Sequence, residues 1–417
     1  MTNSESSRRG QRRNHRVKME KIFQQVTRRH VRIKRRERRD NNSVLNKVLQ
    51  EFLNIMRKCD SLFSSMNPKL EYLGSYFDGM RVGQPTEYDI NVILTFHVNY
   101  SKIELDARDN QNGYTSIIMP EEFRRLSKTP ATAIKGFKKT EIWCDRSHRL
   151  LVTGFRSWMQ SVVDAALDTL PQEDGKRILK VQNKYFKILY KMSGPANTIK
   201  IYVEDDYVID VDLVPTLAFE LPKKPFNSKI DFNKVKQTKK AHYFAVPKPS
   251  DTNFSWRLAF PYQERYYTDN TNKLKGALKL LKLFRDVQGF NKLASYFIKT
   301  LFLWEVVEND DKFWSKNSLT FLVIHMLKKL RDALALGIIK NFWCSDHNLL
   351  EKIKKETCQN WSNRISNIVD DIERNVADPY IVLKYFVASY ELNRSSSEPV
   401  SQTMLGSASS AYELNRY

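Results

Sequence analysis

The spacing of apolar residues changes character along the chain. In "VLNKVLQEFLNIMRKCDSLF", residues 44–63, apolar side chains recur at 45, 48, 49, 52, 53 and 56, the signature of one buried helix face. Before it, Met19 to Arg39 is helix-compatible, with Ile22, Phe23 and Val26 as a short apolar stripe. Asp40-Asn41-Asn42-Ser43 reads as a break or cap between the two. Pro68 ends the loop that follows. Strand patterns come next. "KLEYLGSYFDG" leads to a Gly-marked turn, and "EYDINVILTF" reads as a buried strand. "GFRSWMQSVVDAALDTL" is helical, and "TIKIYVEDDYVIDVDLVPTLAFEL" reads as two strands around the acidic turn Glu204-Asp205-Asp206. Beyond the basic loop 222–241 the period becomes helical, predicting helices over 272–287, 294–308, 317–336, 347–356, 359–375 and 379–391.

This order predicts an α+β lobe followed by an all-helical lobe. The expected divisions are a basic, partly disordered segment 1–42, an α+β lobe 43–245, a helical lobe 246–394 and a Ser-rich, disordered tail 395–417. The pentapeptide "YELNR" at 390–394 recurs at 412–416 without an evident physical reason.

Charge adds a partner class. The 417 residues carry a formal net charge of +22. Residues 1–40 hold 15 Lys or Arg against four acids, so +11 lies there and +11 in the rest. Such a field favours polyanions, a nucleic acid or an anionic membrane surface, although a basic tail can also be a localisation signal. No apolar run reaches the roughly 18 to 20 residues of a membrane span. The Arg-rich N-terminus does not read as a secretory signal. Four cysteines, at 59, 144, 344 and 358, are too scattered for a disulfide framework, which points to reduced thiols and a cytoplasmic location.

Two carboxylates sit in the most apolar strand. Glu87 and Asp89 are two residues apart and so share one face, while Tyr88, Ile90 and Val92 take the other. Adjacent carboxylates repel and are costly to bury unpaired. A divalent metal relieves this, since hard cations such as Mg²⁺ take oxygen ligands and retain sites for phosphates. Two such ions can hold the attacking and leaving oxygens of a phosphoryl transfer. "YVIDVDLVP" offers a further acid, Asp210 or Asp212. Gly74 and Ser75 suit close approach of backbone and a hydroxyl to a triphosphate.

Gly-Ser, eleven residues, Glu-x-Asp, and a later apolar-Asp-apolar strand together resemble the nucleotidyltransferase superfamily. The details are similar to the cyclic GMP-AMP synthase-like receptors, nucleic-acid sensors that make cyclic dinucleotides, over roughly residues 43–360. "GSYFDGMRVGQPTEYDINVIL" keeps the family spacing, and "SGPANTIKI" with "IDVDLVPTLAFE" looks like the strand pair bearing the third acid, Asp212 rather than Asp210. The resemblance implies a bilobal nucleotidyltransferase fold, with an N-terminal spine helix and mixed-sheet catalytic lobe ahead of the helical lobe. It also implies catalysis by Glu87, Asp89 and Asp212 holding two Mg²⁺ or Mn²⁺ ions. "SWRLAF" maps the nucleotide-contacting arginine to Arg257, with Glu264 following at the family spacing. "LKLLKLFRD" maps a phosphate-contacting lysine to Lys282. "ASYFIKTLFLWE" maps a phosphate contact to Ser295 and a base-stacking ring to Tyr296. On residues alone, Lys282 and Tyr296 would belong to ordinary amphipathic helices.

The chain departs from the vertebrate-type DNA sensor in one respect. Residues 261–281 contain no His or Cys, so the zinc ribbon of that sensor is missing and no structural zinc is expected. Cys344, His347 and Cys358 have irregular spacing and read as core residues. The branch without the ribbon senses double-stranded RNA, which the resemblance implies as activator. Implied with it are ATP and GTP as substrates, a cyclic GMP-AMP type product, an antiviral innate-immune role and a STING-type receptor as target of the product. Arg28, Arg29, Arg32, Lys34, Arg35, Arg36, Arg38 and Arg39 are the candidate duplex contacts. A broad basic surface without a base-reading motif suits A-form RNA read by shape and phosphates, and equally B-form DNA. A DNA-activated synthase, a catalytically inactive interaction protein and a template-independent RNA-tailing polymerase are the other readings.

Overall fold

The computed structural model describes residues 15, 17–31, 35–82, 87–119, 140, 142–193, 196–204, 207–235, 238, 241–269, 272–310 and 312–388. Residues 17–26 form helix α1, which continues as a π-helical turn, Thr27–Val31. The long helix α2 is Arg35–Cys59, and Gly74–Phe77 is the single-turn helix α3. Helix α4 is Val152–Asp168. The helical half holds α5 (Pro261–Thr268), α6 (Asn272–Val287), α7 (Ser295–Glu308), α8 (Leu319–Leu336) and α9 (Lys355–Arg374). The strands are β1 (Lys69–Tyr72), β2 (Glu87–Leu94), β3 (Glu104–Asp106), β4 (Tyr114–Ile118), β5 (Gln172–Glu173), β6 (Lys176–Val181), β7 (Lys184–Ser193), β8 (Ala196–Glu204), β9 (Tyr207–Glu220), β10 (His242–Val246) and β11 (Trp256–Ala259).

One mixed sheet runs β3-β4-β11-β10-β9-β8-β7-β6-β5, and β2 attaches to β9 in parallel while pairing with β1. Alternation along β2 buries Tyr88, Ile90, Val92 and Leu94 and leaves Glu87 and Asp89 on the open face. The buried face is covered by α2 and α4 through Leu49, Phe52, Phe155, Met159 and Val163, all within one apolar core. Each such side chain contributes about 1.5–3 kcal/mol relative to exposure. A second core fills the helical half, from Leu278 and Phe284 of α6 to Met326 and Leu330 of α8 and Ile365 of α9. The α+β lobe and the all-helical lobe expected from the periodicity are therefore both present.

The N-terminal stripe belongs to the second core. Met19, Ile22, Phe23 and Val26 are buried there, and the Phe23 ring meets Phe386 edge-on at 5.1 Å. The Glu20 carboxylate accepts from Leu319 N at 3.1 Å and Thr320 N at 2.8 Å, satisfying free amides at the start of α8. Helix α1 thus packs on the helical lobe, whereas α2 packs against the sheet.

Several elements differ from the sequence expectation. No helix break occurs at 40–43: α2 runs through it, and Asn42 Oδ1 accepts from Tyr76 Oη at 2.7 Å, so its side chain serves a tertiary contact instead of a cap. The expected division at 42/43 falls inside this helix. Residues 347–354 form turns rather than a helix. There the Asn348 side chain accepts from Ile339 N and Leu350 N and donates to Gly337 O, so local side-chain bonds replace helical ones. The segments 355–356 and 359–374 form the single helix α9. Over 379–388 there is a 3-10 turn, Pro379–Val382, then one turn of helix, Leu383–Phe386. The residues after Gly74 are helical, and β5 to β7 occupy a stretch that the sequence pattern left unassigned. The tail 395–417 lies outside the described residues.

Candidate active site

Asp89 and Asp212 are direct partners across the parallel β2–β9 pair, and Glu87 is the partner of Asp210. All four acids share the open face, because strand partners point the same way. The strand on the other side of β9 separates the two candidates for third acid. Lys200, opposite Asp210 on β8, places its Nζ 3.5 Å from the Asp210 carboxylate. Asp212 faces Thr198, whose hydroxyl donates to it at 2.5 Å. Asp210 is thus paired with a cation, whereas Asp212 accepts from a neutral hydroxyl.

Gly74 abuts this pair. With φ +85°, it adopts a left-handed backbone that disfavours other residues, and a β-carbon added there would lie 2.7 Å from Asp89 Oδ2. Only a bare α-carbon admits α3 this close to the carboxylate. Ser75, half-buried, follows it, and its carbonyl accepts from Met80 N at 2.7 Å. Arg81 reaches over to Glu87, donating to its carbonyl at 2.6 Å and lying 3.5 Å from its carboxylate. As the side chains stand, no three His, Cys, Asp or Glu among the described residues converge closely enough to hold an ion. The backbone register assembles the acids on one face, and Arg81 contacts Glu87 there.

The residues mapped to nucleotide contacts gather where the lobes meet. Glu264, 8% exposed, accepts from Lys299 at 2.6 Å, from Trp343 Nε1 at 3.0 Å and from Tyr296 Oη at 3.2 Å. Burial would push this carboxyl up, but Lys299, Trp343 and Tyr296 outweigh it and hold it below the usual range. Lys299 also lies 3.7 Å from the buried Asp78, which accepts from Arg265 at 2.8 Å. These bonds tie α3 to α5 and α7 and fix the half-buried Tyr296 ring by its hydroxyl. Ser295 accepts from Arg285 at 2.7 Å. Lys282, 5% exposed, donates to Met80 O at 3.1 Å. Burial, then the charges of Lys299 and Arg285, bring its ammonium down to about 7. Arg257, half-buried on β11, neighbours Lys248, whose pKa burial, Arg257 and Lys352 together lower to about 8.

Of the N-terminal basic residues, Arg28 and Arg29 are exposed on the π-helical turn. Arg32 and Lys34 lie outside the described residues. Arg35, Arg36, Arg38 and Arg39 lie on the first turns of α2, and their side chains are likewise outside what is described. Cys344 and Cys358 are buried free thiols, and Cys59 and Cys144 half-buried ones. The sequence reading missed Asp78, Arg81, Arg265, Lys299 and Trp343. The first and fourth had a signal: Asp78 directly follows the helix that begins at Gly74, and Lys299 stands four residues after Ser295 on α7.

The chain is similar to known proteins over most of its length. The Mab-21 protein nucleotidyltransferase domain matches residues 76–267, and the Mab-21 protein HhH/H2TH-like domain matches residues 273–367. A cyclic GMP-AMP synthase-like receptor of Tribolium castaneum is 31% identical over 385 residues, covering 90% of this chain and 94% of that one. Another from Aethina tumida is 30% identical over 381 residues, covering 90% and 93%. A third, from Trichogramma pretiosum, is 30% identical over 383 residues, covering 91% and 78%. The fold and the acid-bearing strand pair define a nucleotidyltransferase of the Mab-21 class. Within that class the chain belongs to the cyclic GMP-AMP synthase-like receptor family. Among the described residues, no helix is long and apolar enough to cross a membrane.

Proposed function

We propose that this nucleotidyltransferase is switched on by double-stranded RNA and joins ATP and GTP into a cyclic dinucleotide of the cyclic GMP-AMP type. The product would act in the cytoplasm as an antiviral second messenger for a STING-type receptor. The observation that carries the reading is the opposition of Asp89 and Asp212 on the open face of β2 and β9, with Gly74 against Asp89. The donor set is all carboxylate oxygen, the chemistry that suits Mg²⁺ or Mn²⁺. Glu87, Asp89 and Asp212 would hold the two ions, Glu87 after leaving Arg81. When bound, such ions supply Lewis-acid activation of a ribose hydroxyl and neutralise the leaving pyrophosphate.

The chain's own residues position the reactants. Tyr296, held by Glu264, presents a ring on which a base can stack. Lys282 and Ser295 face the phosphates, and Lys282 takes up a proton as a polyanion replaces its carbonyl partner. Arg257 contributes a fixed positive charge near Tyr296, which its field reaches. No side chain forms a covalent intermediate; positioning and electrostatics carry the chemistry. The exposed Arg28 and Arg29 and the basic turns that follow would meet the duplex phosphates.

The test is product analysis with labelled ATP and GTP in Mg²⁺ or Mn²⁺. Parallel reactions receive no nucleic acid, double-stranded RNA, single-stranded RNA or double-stranded DNA. A cyclic product formed with double-stranded RNA, and weakening as salt rises, is expected. Synthesis without nucleic acid, activation by DNA alone, or linear chains as the only product would overturn the reading.

A further inference from the structure

The open sheet face that carries the acids continues past them onto β8, β7 and β6, and there its chemistry reverses. Strand partners fix which residues share this face. The row Leu189, Lys200, Asp210, Glu87 crosses four strands, and the row Ile178, Lys187, Tyr202 runs beside it, with Lys180 opposite Tyr185. The opposite side of the same strands is apolar, with Leu179, Phe186, Ile188 and Ile201 buried in the core. On the open side Lys180 is exposed and Tyr185 is 67% exposed. Lys176 lies over the Tyr202 ring at 3.9 Å. Among the described residues, acids on this face include Glu173, 3.2 Å from Lys187, and Asp210, 3.5 Å from Lys200. The Glu173–Lys187 pair is exposed on both sides, and such pairs are worth about 0–1 kcal/mol.

Lysines interleaved with aromatic rings, the exposed Tyr185 and the half-buried Tyr202, are the two components of single-strand recognition: charge for the backbone and ring faces for unpaired bases. A duplex conceals its base faces and would leave Tyr185 and Tyr202 unused. A protein partner of matching charge would need an acidic surface that also accepted two tyrosines. We propose that the open face of β6–β8 binds a single-stranded polynucleotide, its phosphates on Lys176, Lys180 and Lys187 and its bases on Tyr185 and Tyr202. The strand would end against Asp210 and Glu87, where the face turns acidic. This surface lies across the sheet from α2, so it is separate from the N-terminal basic segment proposed for the duplex, and it stands independently of that proposal.

The test is fluorescence anisotropy of a labelled, unstructured RNA of about 15 nucleotides, within the range that single-strand surfaces occupy. A blunt RNA duplex is measured in parallel. Lys180→Glu combined with Lys187→Glu should weaken single-strand binding about tenfold or more. It should also lower the log–log salt slope by about 1.4, since each single-strand contact contributes about 0.7. Tyr185→Ala should weaken it about tenfold through lost stacking, with little change in salt slope. Both variants change exposed side chains and should keep the wild-type melting temperature and duplex affinity. Wild-type single-strand affinity in either folded variant, or an equal loss for duplex and single strand, would overturn the proposal.

Discussion

Gly74 and Asp89 touch so closely that a β-carbon on the glycine would lie 2.7 Å from a carboxylate oxygen of the aspartate. That contact joins α3 to the acid strand and gives the glycine two separate reasons to be there. Gly74→Ala would incur about 1–2 kcal/mol for a side chain at positive φ, and it would also displace Asp89. Turnover should therefore fall more than tenfold while the melting temperature drops only modestly. Steady-state rates and thermal unfolding of the one variant check this. Near-normal turnover would show that the acid tolerates displacement.

The Glu264–Lys299 pair should behave as a buried charge pair. Lys299→Met removes the strongest partner of a carboxylate that is 8% exposed, and losing one member of such a pair costs about 3–5 kcal/mol. Adding Glu264→Gln should recover part of that loss, since the stranded charge is removed. Denaturant unfolding of the two single variants and the double variant gives the coupling. Additive losses would show that the two groups do not depend on each other.

Lys282 should report nucleotide binding through protons. Its folded pKa, lowered to about 7 by burial and neighbouring cations, lies below the unfolded value. The unfolded chain therefore binds more protons between these values, and the cost of this group to stability is full below about pH 7 and is relieved as pH rises. Wild-type protein should gain stability relative to Lys282→Met between pH 7 and pH 10. A triphosphate beside Lys282 raises its pKa again, so binding near pH 8 should take up on the order of one proton. Calorimetric titration of ATP in buffers of different ionisation enthalpy measures that uptake. No uptake in wild type, or equal uptake in Lys282→Met, would remove Lys282 from the phosphate contacts.

Much of the site was legible because it is local. Glu87 and Asp89 share a face by strand parity, and their apolar neighbours require burial on the other face. The choice between Asp210 and Asp212 rests on β8, where Lys200 meets one and Thr198 the other. That relation is set by cross-strand register, beyond what strand parity reveals. Lys299 stands one helical turn after Ser295, but its role comes from packing against Asp78 and Glu264, which the sequence does not reveal. The cap signal at 40–43 was overridden when Asn42 found Tyr76. The strands β6 and β7 went unread because their open faces carry lysines, and the destination of the N-terminal helix depended on Glu20 reaching the start of α8, some 300 residues away in sequence.

The most direct measurement compares RNA-stimulated nucleotidyl transfer in Asp212→Asn and Asp210→Asn, with duplex affinity and melting temperature followed in both. The account predicts that Asp212→Asn abolishes product and leaves duplex binding intact, while Asp210→Asn, which loses only the charge facing Lys200, retains substantial activity. Activity surviving in Asp212→Asn at more than a few per cent, or a greater loss in Asp210→Asn, would contradict it.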